Sequence, residues 1–250
     1  LPTQREERLP ISCLARGGEH IAVNPSEPIQ NRLLAPLPPG ELARLSPKLE
    51  QIELPFRQIL PIGYAYFVQR GMISLLRPML DGTKVEVGVV GREGFVGLGQ
   101  VLGGSTGGIK DMVQIAGSAL VMPSVALREE LDRCPTLGAH LLRYGQALLI
   151  QISQTAACNG RHTVQERLAR WLLMTWDRID GDVVPLSHEL LSMMLGARRA
   201  GVTVALGMFK TAGLIANSQG KITILDEKGL EAAACECYRV VREEVDRLLP

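Results

Sequence analysis

Apolar residues along this chain follow two different periods, and the change from one to the other divides it. From Ile52 to Met122 they come in short runs broken by glycine. Ala65-Tyr66-Phe67-Val68 and Met72-Ile73-Ser74-Leu75-Leu76 flank Gly71, and Lys84-Val85-Glu86-Val87-Gly88-Val89 alternates with period two. That alternation predicts a strand with one buried and one wet face. Asp81-Gly82 is a hairpin turn signal, and Val113 to Met122 supplies further strand, interrupted at Gly117. Short strands separated by glycine turns predict a β-roll or barrel. Ahead of them, Asn31-Arg32-Leu33-Leu34 and Glu41-Leu42-Ala43-Arg44-Leu45 predict two short helices split by Pro36, Pro38 and Pro39. Residues 1–30 show charge without periodicity and are expected to be a mobile tail.

Beyond residue 134 the period becomes helical. Leu137, Leu141, Tyr144, Leu148, Gln151, Thr155 and Cys158 step by four and three, flanked by Leu142, Leu149, Ile152 and Ala156. So wide a stripe predicts a helix over 135–160 that faces both the β-roll and a twin. Gln151, Ser153 and Thr155 either meet an effector at that interface or set helix register. After Asn159-Gly160, the run HTVQERLARWLLMTWDRI predicts an amphipathic helix with Leu168, Trp171, Leu172 and Met174 in the core. A strand at Val183-Val184 and a closing helix over 229–249 bracket the last segment.

That segment, Leu186 to Leu225, predicts helix, short turn, helix and a two-stranded wing. Ser187 caps the first helix, whose apolar face is Leu190, Leu191, Met194 and Leu195. Gly196 ends it, where a left-handed backbone costs little. The second helix starts near Arg198, buries Val202, Leu206 and Phe209, and stops at Ala212-Gly213. Between 186 and 221, Arg198, Arg199, Lys210 and Lys221 stand against one acid, Glu189, a local surplus of three. The first residues of the second helix in such a motif meet base edges in the major groove. Arg199 and Thr203 are therefore the expected base readers. Ser187, His188, Arg198, Lys210, Gln219 and Lys221 are the expected phosphate contacts.

These residues carry a resemblance. MLGARRAGVTVAL, AGLI and ITILD are similar to the winged-helix DNA-binding domain of the Crp/Fnr family of bacterial transcription regulators. YFVQRGMISLL and VEVGVVGREGFVGL are similar to that family's effector-binding β-roll, the cyclic-nucleotide-binding fold. The ending GLEAAACECY resembles a mainly alphaproteobacterial subgroup. The resemblance implies an α+β protein with a β-roll over 31–134, a dimerisation helix over 135–160 and a winged helix-turn-helix over 161–250. It also implies homodimerisation through the 137–155 stripe, double-stranded DNA as partner and RNA polymerase as a further candidate partner. The family often reads bases with Arg-Glu and an Arg one turn later; here the matching positions are Arg199, Ala200 and Val204. The fold's cyclic-phosphate site uses a Gly-Glu turn and an Arg-Ser or Arg-Thr pair, which fall here on Gly97-Leu98 and Ile109-Lys110. Leu98 accepts no hydrogen bond and Ile109 neutralises no anion, so cyclic AMP is not expected. Gly97, Leu98, Lys110 and Ser153 remain the effector-pocket candidates, with the effector unknown.

Composition adds bounds. A formal net charge of +1 over 250 residues makes only the local basic cluster informative. No run of about 18 apolar residues occurs, so no membrane helix is expected. The five scattered cysteines suit a reducing cytosol, and a cytoplasmic location is expected. Cys235 and Cys237 have no second pair at ligand spacing, and thiols at i and i+2 on a helix diverge. No metal and no cofactor are therefore expected, and buried or incidental thiols are favoured over a redox role for Cys235 and Cys237. With no Gly-x-Ser-x-Gly, no His-Glu-x-x-His and no phosphate-loop lysine, no enzyme is expected. The alternative to a regulator is a small-molecule sensor or interaction module whose DNA-binding domain is vestigial or partner-dependent.

Overall fold

The computed structural model describes residues 21–22, 28–104, 108–181, 183–218 and 220–249. Its architecture is the expected one: an N-terminal sheet domain that rolls up on itself, a long helix, and a C-terminal winged helix-turn-helix. The tail expected over 1–30 lies mostly outside the described residues. Within them, Ile21–Ala22 (β1) pairs antiparallel with Glu50–Leu54 (β2), so this part of the tail belongs to the sheet. Of the two short helices expected next, residues 32–36 form a turn, with Leu33 and Leu34 fully buried, and Pro39–Leu45 forms a helix (α1). Proline is tolerated there because the first helical N–H has no partner anyway.

The sheet runs β1-β2-β6-β3-β4, with Phe95–Val96 (β5) pairing on β3. Strand β3 is a single strand, Tyr64–Pro78, which passes through Gly71 instead of turning there. Its register against Lys110–Pro123 (β6) shifts between Val68 and Ile73. Gly71 has φ +86°, and a Cβ on Gly117 would stand 2.0 Å from the Arg70 carbonyl oxygen. The glycines thus mark a bulge where two backbones approach closely, which bends the strands into a roll. The Asp81-Gly82 hairpin turn forms as expected, with Asp81 Oδ1 accepting from Thr83 N at 2.9 Å.

Strand β4, Lys84–Val90, reverses one expectation. Its alternation places Glu86 inside and leaves Val85 and Val87 half-buried. The reason is tertiary: this face of β4 is covered by the C-terminal domain rather than by water. After the short helices Leu98–Val101 (α2) and Ser124–Leu131 (α3) comes the long helix α4, Pro135–Arg161, one residue longer than predicted. Val164–Trp176 (α5) opens the C-terminal domain with a capping box made by Thr163 and Glu166. The closing segment is two helices, Glu227–Ala233 (α8) and Cys237–Leu248 (α9). The break at Ala234–Glu236 replaces the single helix expected over 229–249.

Candidate nucleic-acid interface

Ser187 caps His188–Leu195 (α6) by accepting from Leu190 N at 3.2 Å. Gly196 turns out of it at φ +55°, and Arg199–Thr211 (α7) follows with Val202, Ala205, Leu206 and Phe209 buried. The wing is Ile215–Ser218 (β8) and Lys221–Ile224 (β9). It is extended to three strands by Val183–Pro185 (β7), in the order β7-β9-β8. The helices and turn are thus where the apolar periodicity placed them, and the addition is that the expected Val183-Val184 strand pairs with the wing.

Arg198 and Arg199 stand exposed at the start of α7, with Lys210 at its last turn and Lys221 on the wing, both exposed. Among the described residues none of these four pairs with a carboxylate. Unpaired cations on one element leave a positive potential for an anion to neutralise. Gln219 lies outside the described residues. The exposed face of α7 also carries Ala200, Val204 and Met208, the last two 59% and 53% exposed. Apolar side chains exposed along a helix of this kind suit the methyl groups of thymine.

His188 and Thr203 have a further duty. Asn217 Nδ2 donates to His188 Nε2 at 3.0 Å, the His188 Nδ1–H donates to Thr203 Oγ1 at 3.1 Å, and Thr203 Oγ1 donates to the Arg199 carbonyl at 3.0 Å. This relay joins wing, α6 and α7. It engages both ring nitrogens of His188, which corrects the expectation that His188 is a phosphate contact; it holds α7 in place. Thr203 keeps its methyl and one lone pair for a base. The two bonds of His188 span 15 and 29 positions and leave no signal in the sequence.

The C-terminal domain docks on the roll through two buried polar contacts. Trp171 Nε1 donates to Glu86 Oε1 at 2.6 Å across the joint, and Arg178 meets Glu93; within the roll itself, Ser74 Oγ donates to Glu86 Oε2 at 2.5 Å. Burial pushes the Glu86 carboxyl up to about 7, against the pull of both hydrogen bonds, Arg170 and Arg178. Nearby, Arg178 Nε meets Glu93 Oε1 at 2.8 Å with both side chains buried. Trp171 is in the core as expected, with its indole N–H spent on the other domain.

The expected effector pocket is only partly assembled. A cavity of about 160 Å³ is lined by Gly97, Leu98, Phe95, Ile109, Asp111 and Leu148. Lys110 is exposed on the opposite face of β6 from Ile109 and Asp111, as strand alternation requires. Ser153 is exposed on α4 and bonds to the Ile150 carbonyl, away from this cavity. Both are corrections. Among the described residues the one ionisable group lining the cavity is Asp111, which burial pushes up to about 6.

The stripe expected at a dimer interface is occupied within the chain. Leu137, Leu141, Tyr144 and Gln151 are buried, Tyr144 against Phe95, and Gln151 Oε1 accepts from Val89 N at 2.6 Å. Leu148 faces the cavity, and Thr155 Oγ1 accepts from Arg170. The apolar residues α4 leaves exposed are Leu142 and Leu149, 70% and 67% exposed, seven residues apart, with Ala156 a further seven on. The wide stripe thus divides: Leu137, Leu141, Tyr144 and Gln151 go to the chain's own core, and the flank at Leu142 and Leu149 is left exposed. Cys158, His162, Cys235 and Cys237, read as unrelated, come together within 4.8 Å.

Residues 166–233 match the family model of the Crp-like helix-turn-helix domain. No curated protein matches the chain significantly. Among solved structures, FixK2 from Bradyrhizobium japonicum is similar at TM-score 0.64 and 18% identity, over 75% of this chain and 98% of that one. The c-di-GMP-responsive global regulator CLP from Xanthomonas campestris is similar at TM-score 0.60 and 16% identity, over 74% and 98%. A CRP-family transcriptional regulator from Thermus thermophilus is similar at 0.59 and 19%, over 73% and 96%. The shared property is the fold: sheet domain, long helix and Crp-type helix-turn-helix. Among the described residues no helix is long and apolar enough to cross a membrane.

Proposed function

We propose that this chain, a Crp-like helix-turn-helix domain carried on the fold of Crp/Fnr regulators, is a cytoplasmic, sequence-specific DNA-binding transcription regulator that acts as a homodimer. The observation that carries the reading is the exposed start of α7, where Arg198 and Arg199 project with no carboxylate partner among the described residues. Arg199 makes the two-pronged contact to a guanine, and Ala200, Val204 and the Thr203 methyl meet thymine methyls. Arg198, Lys210, Lys221 and the N-terminal end of α6 at Ser187 hold phosphates. With Ala200 in place of a glutamate and Val204 in place of an arginine one turn later, the half-site differs from that of relatives that have them.

Dimerisation through Leu142, Leu149 and Ala156 would pair the long helices and set two recognition helices about 34 Å apart, one turn of DNA. Among the described residues the cavity beside Leu98 is lined by an acid and by no cation, so a cyclic phosphate would meet repulsion there. That supports a regulator that does not respond to cyclic AMP. The GLEAAACECY ending supports placement in the alphaproteobacterial subgroup.

A random-library selection tests the reading. Wild type should enrich near-palindromes with a steep salt dependence. Arg199→Ala should lose about 1–3 kcal/mol of discrimination at one position per half-site, whereas Lys221→Ala should weaken all sequences alike. An Arg199→Ala protein that selects the same site with the same stringency refutes the assignment.

A further inference from the structure

Three thiols and an imidazole meet where the long helix ends. Cys158 and His162 are four residues apart at the end of α4, so they share one face. Cys235 lies in the break between α8 and α9, and Cys237 is the first residue of α9. Cys235 itself stands outside helical backbone, in the break that follows the extended Ala234, so the divergence a continuous helix imposes on thiols at i and i+2 does not apply to this pair.

The separations fit one ion. All four ligand atoms lie within 4.8 Å of one another. Cys158 Sγ is 3.5 Å from Cys235 Sγ, and Cys237 Sγ is 3.5 Å from His162 Nδ1. A tetrahedral ion with bonds of about 2.3 Å to sulfur and about 2.0 Å to nitrogen has ligand-to-ligand edges of about 3.5–3.8 Å. A disulfide would need sulfurs about 2.05 Å apart. A polynuclear iron–sulfur core would need its ligands spread around several metal atoms, wider than this set stands.

The surroundings are also those of a ligand set. Glu236 Oε2 is 3.3 Å from His162 Nε2, so a carboxylate holds the far ring nitrogen while Nδ1 faces the thiols. Gln154 Nε2 lies 3.1 Å from Cys237 Sγ and donates to it. Arg170, buried and bonded to Thr155, acts electrostatically on Cys158, as does Arg167. Three thiolates on a divalent ion leave one net negative charge, which these guanidiniums offset. The three cysteines also form a buried group separate from the main apolar core, so packing into that core does not explain them.

We propose that Cys158, His162, Cys235 and Cys237 form a closed Cys3His site for a single thiophilic divalent ion of the zinc class. With all four positions supplied by protein, the ion is structural and leaves no open position for a substrate. It pins α9 to the last turn of α4, next to the Arg161–Thr163 joint through which the long helix passes into the winged-helix domain. Its occupancy sets how firmly that domain is held against the long helix. This inference does not depend on whether the chain reads DNA.

Metal analysis of the full chain, purified under reducing conditions without chelator, tests it. One zinc-class ion per chain is expected. The metal-stripped protein titrated with Co(II) should show thiolate-to-cobalt charge transfer and the intense visible bands of a tetrahedral site, saturating at one equivalent. Cys237→Ser and His162→Gln should abolish stoichiometric binding, Glu236→Gln should weaken it about tenfold, and Cys134→Ser, at the far end of α4, should bind as wild type. Hydrogen exchange should quicken around 155–162 and 234–240 when the ion is removed. Wild-type protein that carries no metal and gives no thiolate–cobalt bands overturns the proposal, whatever the variants do. A Cys158–Cys235 disulfide in place of metal binding, or an unchanged cobalt spectrum in His162→Gln, overturns it equally.

Discussion

Glu86 is a carboxyl group sealed between two domains, and its protonation should be measurable in the stability of the whole chain. The folded-state value of about 7 lies above the ordinary 4.5 because burial penalises the charge more than Ser74, Trp171 and the nearby arginines favour it. The native chain therefore binds more protons than the unfolded chain between those two values. Stability from this group is greatest below about pH 4.5, falls as the pH rises toward 7, and is constant above it. A gap of about 2.5 units at about 1.36 kcal/mol each gives a full cost of about 3 kcal/mol. Glu86→Gln is uncharged throughout. Its amide oxygen still accepts from Trp171 Nε1, and its amide nitrogen can donate to Ser74 Oγ. Urea unfolding followed by tryptophan fluorescence, from pH 5 to 8, should show the variant more stable than wild type at pH 8. That advantage should shrink by about 2 kcal/mol at pH 5. Parallel stability profiles for the two proteins would refute the reasoning, because they would mean that Glu86 carries its charge without cost and so is not enclosed by the domain contact.

Three other perturbations test the same architecture. Arg178→Ala strands the buried Glu93 carboxylate and should cost about 3–5 kcal/mol in urea unfolding, most of it recovered when Glu93→Leu is added to Arg178→Met; equal losses in single and double variants would dismiss the ion pair. Leu149→Glu places a charge on the exposed apolar face of α4, and light scattering should then give the mass of one chain; a retained dimer mass would move the interface off this face. Gly117→Ala forces a methyl against the Arg70 carbonyl and should lower stability by about 3 kcal/mol, the upper end of overpacking costs, visible as a lower melting temperature; an unchanged melting temperature would show that the roll has slack at this crossing.

Local chemistry was legible in the sequence wherever it decided the structure. Ser187, Gly196 and the spacing of Val202, Leu206 and Phe209 specify a capped helix, a left-handed turn and a second helix from neighbours in the chain alone. The exposed arginines at the start of α7 follow from the same periodicity, since the positions it does not bury must face out. The tertiary structure decided which partner each face received. Val85, Glu86 and Val87 alternate as a strand should, yet the carboxylate is the buried member, because Trp171 and Ser74 supply hydrogen bonds that no local pattern encodes. The heptad stripe of α4 is a correct apolar face, but periodicity is silent on whether it meets a twin or the chain's own roll. The same holds for Cys158, His162, Cys235 and Cys237. Their spacing of 77 residues between the first and third carries no signal, and a short break between two helices brings them to one point. Periodicity fixes the direction in which a side chain points along its own element. What it points at depends on how elements distant in sequence are packed, and that is a property of the whole fold.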